Sequence, residues 1–244
     1  MVSAVILTHN DEAILPRCLK SVEWCDEIVV VDDRSIDGTV ALAKKLGASV
    51  WSRPLRDDFA AQRNFGLAKA KGEWVFFVDS DEVVLGELAY EIQALPFDKN
   101  GYFVKRKDYW GGTWLKHGET GSAKLLRLAR KNAGLWEQPV HETWHIDGPV
   151  GELVHPLLHY PHQNVAQFLE DVNRYSTLYA HYLHTRDIRE PIWTIAVKPA
   201  AKFFVNYVLR FGFLDGTAGL VVALMMSFHS FLVRAKLWFL WRFS

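Results

Sequence analysis

Apolar and polar positions alternate in blocks along residues 1–100. Residues 2–7 and 27–31 form short apolar runs, and Trp74-Val75-Phe76-Phe77-Val78 forms another. Runs of this length, bounded by turn-forming residues, predict buried strands. Between them apolar residues recur at helical spacing. Ile14, Leu15, Cys18, Leu19 and Val22 predict a helix over 11–24. Residues 36–46 predict a second helix, ended by Gly47, and residues 59–70 a third, ended near Gly72. Residues 48–51 read as a short strand between them. Strands alternating with helices of about a dozen residues imply βαβ units, so the fold class is α/β with a Rossmann-like, mostly parallel sheet.

The pattern changes further along. Residues 101–109 and 124–129 read as strands on either side of a glycine-rich loop, Gly111-Gly112 to Gly121, which predicts a mixed sheet edge. Residues 163–184 read as a helix with Phe168, Leu169, Val172, Tyr175 and Leu178 or Tyr179 on its apolar side and Glu170, Asp171 and Arg174 on its polar side. A tail starts near Pro191, which divides the chain into residues 1–190 and 191–244. Residues 216–233 are uncharged, and residues 234–243 interleave Arg, Lys, Trp and Phe. A spanning helix needs about 20 apolar residues, so this run is borderline. Aromatic rings mixed with basic ends suit the headgroup zone, so the tail reads as a membrane-associated, interfacial helical region. The alternatives are a helical subdomain and an oligomer interface.

Charge sharpens that division. The whole chain has no formal net charge, which gives no case for nucleic acid as a partner. From Ala196 onward, however, Lys198, Lys202, Arg210, Arg234, Lys236 and Arg242 face a single acid, Asp215, leaving an acidic body and a basic tail. Half of the 244 residues are apolar, enough for a sizeable core. Cys18 and Cys25 lie two turns apart on the predicted helix, too far for a bridge, which suggests buried thiols in a reducing compartment. Residues 2–7 run into a strand without a basic leader, so no secretory signal is expected.

The candidate chemistry lies where the strands end. Asp79-Ser80-Asp81 closes the third apolar run, and the C-terminal edge of an open α/β sheet is where such folds place ligands. Two carboxylates there repel unless a cation sits between them, and hard oxygen ligands suit Mg²⁺ or Mn²⁺ holding a diphosphate. The first strand ends in Thr8-His9-Asn10-Asp11-Glu12 and the second in Asp32-Asp33-Arg34-Ser35-Ile36-Asp37-Gly38-Thr39. Carboxylates at this edge can accept from a ribose hydroxyl or a base N–H, whereas Thr8, Asn10 and Glu12 can line the pocket or cap the next helix.

These motifs, with Gln62-Arg63-Asn64-Phe65-Gly66 between them, resemble in order and spacing the family 2 glycosyltransferases of GT-A fold. Leu126-Arg127-Leu128, Val140-His141-Glu142, Lys198-Pro199 and Gly212-Phe213-Leu214-Asp215-Gly216 are similar to the lipopolysaccharide or lipooligosaccharide core β-glucosyltransferase branch. The resemblance implies a UDP-linked sugar donor and a glycolipid or saccharide acceptor. Asp33, helped by Asp32, would hold the uridine, and Arg63 would sit near the base or phosphate. Asp81 would bind Mn²⁺ or Mg²⁺, with Asp79 beside it. Transfer would invert the anomeric centre, with Glu142 as general base and His141 orienting it or touching the diphosphate. The place of work would be the cytoplasmic face of the cell membrane, as a peripheral or monotopic protein.

Two rival readings use the same residues. His141-Glu142-Thr143-Trp144-His145 fits H-E-x-x-H, a zinc hydrolase pattern that needs a helix, yet Pro139 and Gly148-Pro149 leave barely two turns for it. Its third ligand would be Glu152, Glu170, His155, His159 or His162. The other rival is a non-catalytic, membrane-docked sugar-nucleotide binding module.

Overall fold

The structure is a computed structural model that describes residues 1–161 and 164–243, with Ser122 in its backbone alone. His162, one candidate zinc ligand, and Gln163, the expected start of the long helix, lie outside the described residues. Two compact units emerge. Met1–Arg106 with Lys124–His159 forms the first, and Lys107–Ala123 with the chain from Tyr160 onward forms the second.

The first unit opens as β1 (Val2–Thr8), α1 (Leu15–Ser21), β2 (Glu27–Asp32), α2 (Thr39–Lys45), β3 (Ser49–Ser52), α3 (Phe59–Lys69) and β4 (Trp74–Asp79). It continues through β5 (Glu82–Val83), α4 (Gly86–Gln93) and β6 (Gly101–Trp110), which runs on into the second unit, where β7 (Thr113–Trp114) pairs with its end. The chain then returns as β8 (Lys124–Arg130), β9 (Gly134–Glu137), β10 (Thr143–Ile146), β11 (Val150–Glu152) and β12 (Leu157–His159). Strands pair in the order β3-β2-β1-β4-β8-β6-β12-β5. The first four are parallel, and β8 joins β4 antiparallel, which makes the mixed edge. β9 and β10 form a separate hairpin.

Both faces of the central strands are covered, which is why β1, β2 and β4 read as apolar runs rather than alternating ones. Ala4, Ile6, Val30, Phe76 and Val78 pack on one side with Leu15, Leu19, Leu88 and Ile92. Val5, Val29, Val31, Val75 and Phe77 pack on the other with Ala60, Leu67, Trp136 and Trp144. Register aligns Thr8 with Asp32 and Leu7 with Asp79, so three motif ends meet at one edge.

Some elements differ from the sequence pattern. α1 starts at Leu15 rather than residue 11, because the Asp11 carbonyl accepts from Ile14 and Leu15 in a turn, with Pro16 in the first helical turn. α2 starts at Thr39 rather than residue 36, because residues 33–38 are drawn into hydrogen bonds with the end of β1. α4 had no counterpart in the pattern reading, although it buries Leu88, Ala89 and Ile92.

The second unit is built on α5 (Val165–Thr185), α6 (Thr194–Phe204), a π-helical stretch Val205–Leu209, and α7 (Gly216–Phe243). Phe168 and Val172 pack with Trp110, Leu115, Ala218 and Met225, and Ala180 and Leu183 pack with Val233 and Leu237. α5 thus shares a core with α7, so the helical unit takes in residues well before 191.

Gly66 shows how tightly α3 sits on the sheet. A Cβ there would lie 2.5 Å from Val5 Cγ1 and 3.1 Å from Val31 Cγ2. Gly→Ala inside an exposed helix stabilises by about 1 kcal/mol. At this position overpacking is expected to reverse the sign, with Gly66→Ala destabilising by about 1–3 kcal/mol in urea denaturation. Stabilisation would mean that α3 lifts freely from β1.

Candidate active site

The end of β1 holds the loop that follows β2. Asn10 Oδ1 accepts from Ile36 N at 2.9 Å, and Glu12 Oε2 accepts from Gly38 N at 3.0 Å. Thr8 Oγ1 donates to Asp11 Oδ2 at 2.8 Å. Buried Asp32 accepts from Ser35 N, a local turn bond. Thr8, Asn10, Glu12 and Asp32 therefore spend polar atoms on shaping the edge. Asp33 accepts from Leu55 N through Oδ1 at 2.7 Å, and its Oδ2 lies 4.0 Å from His9 Nδ1. Its side chain keeps partial exposure at the mouth of the site.

The centre is a lattice of buried charges. Arg63, on α3, donates Nε to Glu142 Oε1 at 2.7 Å and Nη2 to Asp79 Oδ1 at 2.9 Å. Arg127, on β8, donates Nη2 to Asp79 Oδ2 and to Glu82 Oε1, the latter at 3.2 Å. Glu82 Oε2 also accepts from Asp79 N at 2.8 Å, which closes the turn after β4. Burial works against ionisation of Asp79, but Arg127 and Arg63 outweigh it and hold the carboxyl far below the ordinary carboxylate range. Burial pushes Glu82 above its ordinary value against the pull of Arg127. Burial also opposes the charge on Arg63, and Asp79 and Glu142 more than restore it. Arg63 Nη1 and Arg127 Nε have no hydrogen-bond partner among the described residues. Both atoms are enclosed by protein.

Glu142 is delivered by the loop between β9 and β10. Asn64, one residue beyond Arg63, donates Nδ2 to Trp136 O and accepts from Trp136 N, both at 2.9 Å. Phe59 N, at the start of α3, donates to Pro139 O at 2.9 Å. The same helix therefore fixes the loop and supplies the arginine that meets Glu142. Trp136 stacks on Trp144 with centroids 5.3 Å apart, and Phe77 meets both edge-on at 5.0 Å. The Arg63 guanidinium lies 4.7 Å from the Trp136 ring centroid. His141 is exposed in the left-handed region at φ 55°.

Asp81 lies beyond the turn, 3.2 Å from His159 Nε2 at the end of β12. Burial opposes ionisation of Asp81, and His159 overcomes that, so the carboxyl sits below its ordinary value. The two aspartates of the D-x-D thus have different surroundings. Asp79 faces two guanidiniums, so joining a metal would require those arginines to shift. Asp81 faces an imidazole.

The structure brings Arg63, Asp79 and Glu142 into direct contact and leaves Asn10 and Glu12 as loop latches. Arg127, Glu82 and Asn64 were not singled out from the sequence as site residues, and His159 entered only as a candidate zinc ligand. Arg127 had a signal, a lone charge inside the apolar run Leu125-Leu126-Arg127-Leu128. The zinc pattern lacks its helix, because Thr143–Ile146 is a strand and His141 precedes it in a loop. No group of three or more metal-ligating side chains forms among the described residues.

The chain belongs to glycosyl transferase family 2, whose model matches residues 3–142, and it is a glycosyltransferase. It is 31% identical, over 97% of its own length and 91% of the relative's, to the lipopolysaccharide core biosynthesis glycosyltransferase LpsC of Rhizobium meliloti (strain 1021). Among solved structures it is similar to S. aureus TarS 1-349 in complex with UDP-GlcNAc, with a TM-score of 0.50 and 18% identity over 96% of this chain and 83% of that one. Glucosyl-3-phosphoglycerate synthase of Mycobacterium tuberculosis, in complex with Mn²⁺, UDP and phosphoglyceric acid, gives 0.52 and 19% over 78% and 80%. The fold is GT-A.

Removing Arg127 leaves Glu82 without its hydrogen-bonded counter-ion and Asp79 with Arg63 alone. Arg127→Met is expected to lower stability by about 3–5 kcal/mol in chemical denaturation, because Asp79 and Glu82 lose their shared counter-ion. A variant as stable as the parent would show that neither acid depends on it.

Proposed function

We propose that this glycosyltransferase moves a hexose, with inversion, from a UDP-sugar to a lipid-linked or lipopolysaccharide-core saccharide at the cytoplasmic membrane face. The observation that carries the reading is the Arg63 bridge, which ties candidate base Glu142 to Asp79 at the strand edge where the family places its donor. The UDP complexes of the two fold neighbours favour UDP, and the name of the Rhizobium relative favours a lipopolysaccharide-core acceptor. Asp33, with Asp32 behind it, takes the nucleoside. Thr8 completes the floor, and Asn10 and Glu12 hold the loop that carries Asp33.

The donor set fits a divalent ion. Asp81 and His159 offer one carboxylate and one imidazole, a pairing that suits Mn²⁺, and a site this sparse leaves coordination to diphosphate oxygens and water. A bound ion would stabilise the charge gathering on the departing diphosphate. The unpartnered donors of Arg63 and Arg127 supply further positive character for it. Glu142 takes the proton from the acceptor hydroxyl as its oxygen attacks the anomeric carbon from the face opposite the nucleotide. The carbon–oxygen bond to the diphosphate breaks, and the configuration inverts. His141, exposed beside Glu142, orients it or meets the diphosphate. The tail from residue 191, whose stretch Gly212–Phe243 is long and apolar enough to cross a membrane, keeps the enzyme at the bilayer where such an acceptor resides.

Two substitutions separate the roles. Glu142→Gln is expected to bind UDP as the parent does while sugar transfer falls roughly 10²–10⁴-fold. Transfer at the parental rate would remove Glu142 from the base role. Asp81→Ala is expected to abolish the Mn²⁺-dependent part of UDP binding in calorimetry. Equal binding by this variant, with or without EDTA, would rule out Asp81 as the metal ligand.

A further inference from the structure

The second unit has a two-sided character that goes beyond the bare tendency of its tail to seek a membrane. The outer side of α5 is polar, with Gln167, Glu170, Arg174, His181 and Thr185 exposed. The outer side of α7 is apolar. Leu224, Phe228, Phe231 and Trp238 recur at spacings of four, three and seven, which is one helical stripe, and all are exposed, with Phe239 at its flank. Trp193, Val197, Phe204 and Val208 make a similar exposed stripe from the start of α6 into the π-helical stretch. Exposed Arg210 follows that stretch, and exposed Arg242 ends the α7 stripe.

The inner side of α7 is fastened by polar contacts along its length. Ser227 Oγ donates to Pro199 O at 2.8 Å. Lys236 Nζ has four acceptors on α5 at 2.8 Å, namely Asn173 O, Asn173 Oδ1, Ser176 Oγ and Thr177 Oγ1. Arg234 Nε lies 3.2 Å from Glu190, which also meets Lys198 Nζ at 2.8 Å. Trp241 Nε1 donates to Ile188 O at 3.0 Å. A helix of this length reaches about 42 Å, ample to cross about 30 Å of hydrocarbon. Crossing would either carry the charged outer side of α5 into lipid or strip α7 from these partners, and both are costly.

We infer that α7 does not span the bilayer but lies in its plane, with the aromatic stripes of α6 and α7 sunk into one leaflet and α5 facing water. The inference rests on the membrane reading given above and decides its geometry. The occupant of the face is a leaflet bearing anionic headgroups. Arg210 and Arg242 supply the charge that complements phosphates, and Trp and Phe beside them suit the interface. A helix in this pose leaves both of its ends on the side from which the protein bound.

Flotation of the full chain with preformed vesicles of phosphatidylethanolamine and phosphatidylglycerol (about 3:1) tests both levels. The parent is expected to float. Phe228→Asp with Phe231→Asp is expected to weaken flotation about tenfold or more while circular dichroism still shows the folded helical unit, since both side chains reach the surface. Environment-sensitive labels on Thr217→Cys and on Arg242→Cys, each in a Cys25→Ser background, are both expected to be bleached by external dithionite, which does not cross the bilayer. Flotation with one of the two labels protected would mean that α7 spans, and would overturn the in-plane pose while leaving membrane binding intact. A parent that stays with the soluble fraction would overturn the membrane reading itself. If it also dimerises without lipid, a second copy covers the face.

Discussion

Carboxylates crowded at the end of a buried strand are the constraint around which the catalytic unit is arranged. Asp79, Glu82 and Glu142 gather where water is scarce, and two guanidiniums from distant parts of the chain hold them there. Neither Arg63 nor Arg127 would stay buried without those acids, and the acids would not converge without the arginines. Here the positive charge of both guanidiniums is matched by protein carboxylates. The unpartnered Nη1 of Arg63 and Nε of Arg127 are the donors left over from the internal pairing.

The pairing also explains why α3 matters beyond its role as a covering helix. Its packing on β1 is close enough that Gly66 has no room for a methyl group. That proximity puts Arg63 at the strand edge. The neighbouring Asn64 clamps the backbone of Trp136, and the Phe59 amide clamps Pro139, so the loop carrying Glu142 is set against the same helix. A glycine, an amide and an arginine on a single helix thus convert a packing relation into a placed carboxylate.

The parallel half of the sheet was legible because β1, β2 and β4 are covered on both faces and leave uninterrupted apolar runs, as Trp74 to Val78 shows. The mixed edge was legible in outline from the glycine-rich loop. The short strands β5, β7 and β9 to β12 were not, since two to four residues carry no period, and α4 was overlooked although Leu88, Ala89 and Ile92 have helical spacing. Motif ends announced Asp79 and Asp81 as candidates. Nothing local could say that one faces arginines and the other a histidine, because Arg63, Arg127 and His159 come from three separate parts of the chain. H-E-x-x-H shows the converse. Its spacing means two shared-face histidines only on a helix, and here the chain bends at His141 and continues as a strand.

The helical unit shows a different limit. Composition alone could not separate a crossing helix from one lying flat, since both need a long apolar run with aromatic and basic ends. The distinction lies in which side of the helix carries the polar atoms and what they touch. Ser227, Arg234, Lys236 and Trp241 all turn toward protein partners, while Leu224, Phe228, Phe231 and Trp238 do not. A helix free to span would have little reason to commit a lysine to four acceptors on a neighbour with a polar outer side. Laying the apolar stripe against one leaflet avoids the cost of moving those charges through hydrocarbon.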